Sequence, residues 1–489
     1  MSSAGVVFPE SGPARAGEDA QRSTSALGRA VVSDALRRSD PIGARAAAAE
    51  TNWRRGYVTH FRRMIEAGLT SGDAERAIAA DGLAGLYQRM RFVARDGSET
   101  DLDTALAAAG PVLGTEVVPG QGTVDRDFSL PYRGERLSGD ALRWQLDAWT
   151  ERGVIEPSCA EAVRAVVANP DWLDLSDVRM VALGAGAEMG PVHSLLRWGA
   201  DVVAVDLPRP AIWTRLLETN SRYAGRLHIP VTGNAGALAD RAGADVLHDL
   251  PSVLRWIESL DGRLVLGNYV YADGATNVRV SVAVDALAVG VRRARPDTGL
   301  AFLATPTDAF AVPGDAVAHS DRAYRVHGGI ARVRQPLRMV SAGRLLRRNY
   351  APGSDPGICD SIVPQQGPNY ALAKRLQRWR ATDARAAGAQ VSFHVAPPTR
   401  TRSVVKNRAL AAAYAGAHLF GVEVFEPATS NTLMAALLVH DLRNQRVAAE
   451  HPWEDEAYAA AHGGLWRAPY APRSALGLAA LIGFGGARG

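Results

Sequence analysis

The sequence predicts an α/β protein: a doubly wound parallel sheet, preceded by a helical N-terminal domain and interrupted by an insertion. Three observations lead there. From Asp177 onward, short β-branched runs alternate with amphipathic stretches, the rhythm of a parallel sheet covered by helices on both faces. From about Ala46 to Leu173 the apolar residues recur at helical spacing instead. Between Thr305 and Tyr370 the alternation stops for far longer than a plain strand-to-helix connection needs.

Taking the chain in order, residues 1–45 are rich in Ser, Ala, Gly and Arg and poor in large apolar side chains, a composition that predicts poor order. Residues 46–172 read as the helical domain, with helices over Trp53–Ala67, Asp73–Met90, Gly139–Arg152 and Cys159–Ala168, the last with Ser158 placed to cap it. A Gly/Pro-rich break, Gly110–Gly122, divides the first pair from the second. Residues 173–489 form the sheet domain. Its strands are expected at Val178–Leu183, Asp201–Val205, Leu227–Val231, Leu264–Leu266, Leu300–Ala304 and Val391–Val395, with the insertion at about 306–366. A C-terminal extension begins near 420 and carries a helix over Asn431–Leu442.

Composition narrows the function. The chain of 489 residues is 47% hydrophobic and 22% charged, with a formal net charge of only +4, so no electrostatic footprint for nucleic acid is expected. Cys159 and Cys359 are its two cysteines, which supply neither a disulfide framework nor a Cys-based zinc site and fit a reducing cytoplasm. The first twenty residues lack the apolar core of a signal peptide, and Ala475–Phe484 is too short to span a bilayer. The histidines, among them His327 beside a Gly-Gly pair, follow no metal-ligand spacing. The expectation is a cytoplasmic protein acting on a small molecule, without metal, membrane or nucleic acid.

Two stretches carry chemistry. The first strand runs into Gly184-Ala-Gly186-Ala-Glu188-Met-Gly190, then a helix, then a second strand ending at Asp206. Glycines at such a turn let the backbone approach a pyrophosphate at a helix N-terminus, and the acid can bind both hydroxyls of an adenosine ribose. That order of elements predicts NAD; Arg209, three residues on, leaves NADP open. The second stretch is Tyr370-Ala-Leu-Ala-Lys374. The chain has 53 arginines and two lysines, and an ammonium is a compact point charge that a guanidinium fork does not replace.

Taken together, Val178 to about Thr401 resembles the short-chain dehydrogenase/reductase superfamily, with its Rossmann-like NAD(P)-binding sheet. Leu-Gly-Ala-Gly-Ala-Glu-Met-Gly is similar to the family's glycine turn, Gly184 and Gly190 being the outer glycines. Asn369-Tyr370-Ala-Leu-Ala-Lys374, a helix, a sixth strand, then Pro397-Pro398-Thr-Arg-Thr401 follow its Tyr-x-x-x-Lys and Pro-Gly-to-Thr order. The resemblance implies Tyr370 and Lys374 as catalytic residues, with Thr305 or Ser361 supplying the substrate-steadying hydroxyl. It implies cofactor contacts from Gly184, Gly186, Gly190, Asp206, Asn268, Lys374, Pro397 and Thr401, and from Asp249 on the adenine, where Asp245 competes. It also implies a homo-oligomer. Glu188 replaces the family's middle glycine and Pro398 the glycine after Pro397.

The activity so implied is carbonyl–alcohol interconversion by hydride transfer. Lys374 would draw the Tyr370 phenol down from a pKa of about 10. Eight arginines between Asp321 and Tyr350 form either a lid for a carboxylate- or phosphate-bearing substrate such as an acyl thioester, or a solvated face. Two other readings stand beside this one. S-adenosylmethionine-dependent methyltransferases also use a Gly-rich first turn and an acid ending the second strand, and Asn268-Tyr269 loosely resembles a corner of some of them. A non-catalytic nucleotide-binding protein would keep the turn and lose the chemistry.

Overall fold

The computed structural model describes residues 4–10, 22–326 and 329–486; His327 lies outside them. Seven strands make the central sheet: β1 (Gly114–Pro119), β2 (Val178–Leu183), β3 (Asp201–Val205), β4 (Arg226–Val231), β5 (Arg263–Asn268), β6 (Gly299–Ala304) and β7 (Val391–Val395). Their order across the sheet is β7-β6-β5-β2-β3-β4-β1. The six strands from β2 to β7 run parallel, and β1 joins the far edge antiparallel to β4. The molecule is thus α/β, with a mixed, mostly parallel sheet.

Alternation along each strand sorts side chains between two faces. Val181, Leu183, Val203, Val205, Leu264, Leu266 and Phe302 point into one core; Val178, Met180, Ala182, Val202, Ala204 and Val265 point into the other. The first face is covered by the helices Gly274–Ala294 and Gly367–Ala386 and, beyond them, by Thr24–Leu36, Trp53–Gly68 and Gly72–Arg89. The second carries Gly139–Glu151, Pro157–Ala168, Pro210–Asn220 and Pro427–Arg443. Each face buries one free thiol, Cys359 in the first core and Cys159 in the second. Among the described residues Gly274–Ala294 alone is long and apolar enough to cross a membrane, and 67% of its apolar window is buried inside the protein.

Four expectations are corrected. Within 1–45, Gly5–Val7 is a strand and Thr24–Leu36 a helix, because Leu27, Val31, Val32 and Ala35 form a stripe that packs away completely. Segment 46–172 is no separate domain: Tyr57, Phe61, Leu83 and Leu86 share one core with Leu372, Leu376 and Trp379 of the Gly367–Ala386 helix. The Gly110–Gly122 break contains β1, an edge strand ending in Pro119, where a missing backbone donor is tolerated. Ser158 lies inside its helix, which starts at Pro157, and its hydroxyl accepts from Ala459 N.

The insertion is a two-stranded antiparallel pair, Ala309–Val312 with Gly357–Asp360, bracketing the helices Gly314–Arg325 and Ala331–Val340. In the C-terminal extension, Pro472–Gly486 packs on Arg408–Gly416. Gly416 and Gly483 permit that approach, since a Cβ on either would collide with the facing backbone at Ala479 or Ala412.

Candidate functional site at the strand ends

The strand sequence reverses direction between β2 and β5, so connections leave these neighbours toward opposite halves of the sheet. In such sheets the crevice outside the carboxyl ends of these two strands is the usual ligand position. Gly184 follows β2 there with φ +84°, a left-handed conformation that an L side chain rarely adopts. A Cβ on it would also lie 3.0 Å from the backbone of Tyr269 and Val270, which follow β5. Asn268, the last residue of β5, is 5% exposed, and its Oδ1 has no hydrogen-bond partner among the described residues.

Asp206 follows β3 beside this turn. Its carboxylate accepts from Gly186 N at 2.8 Å and from Leu207 N at 2.8 Å. Burial raises its pKa, and these bonds with Arg215 and Arg209 pull it back. The oxygens keep further lone pairs for a ligand. Asp249 is not with it: it forms an ion pair with Arg95 at 2.6 Å, toward the N-terminal layer. The backbone brings Asp245 instead. Ala244 N donates to the Asp206 carbonyl at 3.0 Å, and Asp245 shares the influence of Arg209.

The rest of the glycine turn behaves less uniformly. Gly190 has no left-handed φ, and a Cβ there would make only ordinary contacts at 3.4 Å and beyond. The helix that follows, Val192–Arg197, is short. Glu188 does not confront a phosphate position unpaired: it accepts from Arg402 Nε at 2.6 Å and Arg402 N at 2.8 Å. Arg402 opens the helix Arg402–Lys406; Thr401 stands at its N-cap without a side-chain capping bond, and its hydroxyl lies 3.0 Å from that of Ser403. Pro397 follows β7, its carbonyl accepting from Thr399 Oγ1 at 2.8 Å. Glu188 and Arg402 therefore span the two sides of the crevice.

Tyr370 and Lys374 lie in the Gly367–Ala386 helix, behind β6. Thr305 and Gln366 lie close enough to the phenol to influence its titration. Thr305 and Thr307 share a hydroxyl contact at 2.8 Å, and Thr307 donates to Gln366 Oε1 at 2.8 Å. The Tyr271 ring meets that of Tyr370 edge-on at 6.3 Å. Burial raises the Tyr370 pKa; Thr305 and Gln366 lower it, and the Asp308 carboxylate raises it. Lys374 exerts no such pull. Its ammonium donates to the Leu303 carbonyl at 3.3 Å and to Gln377 Oε1 at 3.2 Å, and desolvation brings its pKa down to about 8. Among the described residues no carboxylate pairs with it.

Thr305 is therefore with Tyr370, whereas Ser361 is not available: its hydroxyl donates to the carbonyls of Pro306 and Asp308 at 2.6 and 2.8 Å. Sequence reasoning missed Gln366; Thr307 stands beside Thr305 at the end of the same strand, where the hydroxyl was expected. The run Gln365-Gln366-Gly367 just before the tyrosine helix was the local signal for that glutamine. The arginines of the insertion do not gather at Tyr370. Arg325 and Arg348 pair with Asp321, and Arg334 and Arg348 lie over the Tyr324 ring. No family model, curated protein or solved structure matches the chain.

Proposed function

We propose that this protein is an NAD(P)-dependent oxidoreductase that interconverts a carbonyl and an alcohol, on a Rossmann-like dinucleotide-binding sheet. The observation that carries the reading is that Gly184, left-handed, and Asp206 follow the carboxyl ends of β2 and β3, while Thr305 follows that of β6 and the Tyr370 ring meets Tyr271 just after β5. The strand order supports it: without the edge strand it is the 3-2-1-4-5-6 sequence of dinucleotide-binding sheets.

The residues fit such a cofactor. Gly184 supplies the left-handed turn that ends the first strand, Asp206 has acceptor capacity for ribose hydroxyls, and Asn268 holds a buried oxygen without a partner among the described residues. Asp206 disfavours a 2′-phosphate, so NAD is the preferred nucleotide. Lys374, a desolvated ammonium on the tyrosine helix, would hold the nicotinamide ribose. A bound reduced nicotinamide supplies the hydride that reaches the carbonyl carbon.

The chain's own part is the proton. With its pKa raised by burial, Tyr370 is a neutral phenol at physiological pH and is ready as a donor. As the carbonyl π bond breaks, the oxygen takes the Tyr370 proton, and the phenolate left behind is stabilised by Thr305 and Gln366. In the reverse direction the same phenolate takes the alcohol proton.

The test pairs nucleotide binding with one substitution. Thermal unfolding with NAD, NADH, NADP, NADPH or S-adenosylmethionine should show a midpoint shift of several degrees for a nicotinamide nucleotide. Tyr370→Phe should keep that shift while turnover drops by roughly 100-fold or more. A shift with S-adenosylmethionine alone would replace this reading with the methyltransferase. Turnover surviving in the phenylalanine variant would remove Tyr370 from the chemistry.

A further inference from the structure

Next to the Tyr370 cluster lies a cavity that the carbonyl chemistry alone does not explain. Its volume is about 80 Å³, and part of it is continuous with solvent; that is several times the space one water needs. Thr307 forms one end, and Thr307 is one hydroxyl contact from Thr305 and one hydrogen bond from Gln366, the two neighbours of the Tyr370 phenol. Tyr414, close enough for the Tyr370 phenol to influence its titration, lines the same end.

Away from that corner the lining turns apolar. Leu410 and Ala413 come from the Arg408–Gly416 helix, Ala475 and Leu476 from the packed Pro472–Gly486 helix, and Val424 and Leu465 from the loops between. Arg473 is the sole charged side chain among the lining residues, and it is spoken for by Asp360. The Ser361 hydroxyl is likewise consumed by backbone carbonyls. A sugar, phosphate or carboxylate placed here would leave its polar atoms unpaired, which is costly. An aliphatic chain would lose nothing and would bury apolar surface.

We propose that this cavity receives an aliphatic chain of the substrate, so that the protein acts on alkyl ketones or secondary alcohols with the oxygen at Tyr370. The chemistry of that step rests on the oxidoreductase reading above; the ligand class rests on the cavity.

The experiment is a titration calorimetry series on the full chain with butan-2-one, hexan-2-one, octan-2-one and decan-2-one, with acetoacetate as the small anionic control. Affinity should rise by about fourfold per added methylene until the cavity is full, and acetoacetate should bind no better than butan-2-one. Ala413→Trp, which fills the cavity from one wall, should weaken decan-2-one at least tenfold and leave butan-2-one nearly unchanged. Its retained nucleotide-induced thermal shift reports that it folds; if it does not fold, the wild-type series decides alone. Affinity independent of chain length, tightest binding of acetoacetate, or unweakened decan-2-one binding by the folded variant would each overturn the proposal. Ketone binding without any nucleotide shift would overturn the oxidoreductase reading and leave the cavity assignment standing. A nucleotide shift without ketone binding would do the reverse.

Discussion

Lys374 shows how a single side chain joins stability to function. An ammonium with a pKa of 10.5 in the unfolded chain falls to about 8 in the folded protein because burial strips its water. Between those values the unfolded state holds more protons, so stability rises with pH across that window. Below about pH 8 both states are charged and the full cost of burying the charge remains, up to about 3 kcal/mol. Lys374→Met should therefore be more stable than wild type at pH 7, and the gap should close by pH 10.5. Urea unfolding of both proteins at pH 7, 9 and 10.5 measures this, and parallel profiles would contradict it. A site that tolerates such a charge without a carboxylate partner is built for something other than stability. Asn268, with its unpaired buried oxygen, belongs to the same class.

At the scale of elements, the tyrosine helix is fixed by charge as well as by packing. Arg375 and Arg378 reach the buried Asp308, each at 2.7 Å, and Arg378 also grips Glu456. Arg62, from the N-terminal layer, approaches the neighbouring Asp360 at 3.9 Å. Asp308→Ala would strand the buried Arg375 guanidinium and leave Arg378 to Glu456 alone, and a loss of about 3–5 kcal/mol in unfolding free energy is expected. A loss below 1 kcal/mol in equilibrium denaturation would show that water takes over the carboxylate's place. Elements were also where the sequence spoke most clearly. β2, β3 and β7 lie where their β-branched runs begin and end, since a strand buried on both faces needs an unbroken apolar run. β1 was invisible because most of its residues face solvent at the sheet edge. In the site, Tyr370, Lys374 and Thr305 were legible because one helix and one strand end hold them. Gln366 meets them only through the fold of the insertion. Asp245 and Asp249 differ by a single helical turn, a distinction no composition reveals.

For the whole molecule, the decisive fact is that the N-terminal helices and the sheet share their apolar interior. A chain beginning at residue 173, the boundary that the sequence pattern marks, would lack Tyr57, Phe61, Leu83 and Leu86 and expose the tyrosine helix along Leu372, Leu376 and Trp379. That fragment should show little near-ultraviolet circular dichroism and should bind hydrophobic dye strongly; a sharp cooperative unfolding transition would prove the sheet domain autonomous. The two thiols give this architecture a built-in clock. Each lies in the core of a different face, and burial pushes both up, Cys359 to about 12. The thiolate is the nucleophile, so an alkylating reagent has no target until a face opens. With reagent concentrated enough to outpace reclosing, the rate at which Cys359 is modified is the opening rate of the N-terminal side, and that of Cys159 the opening rate of the other. Equal rates would mean that the sheet gives way on both sides at once; unequal rates would say which layer peels first.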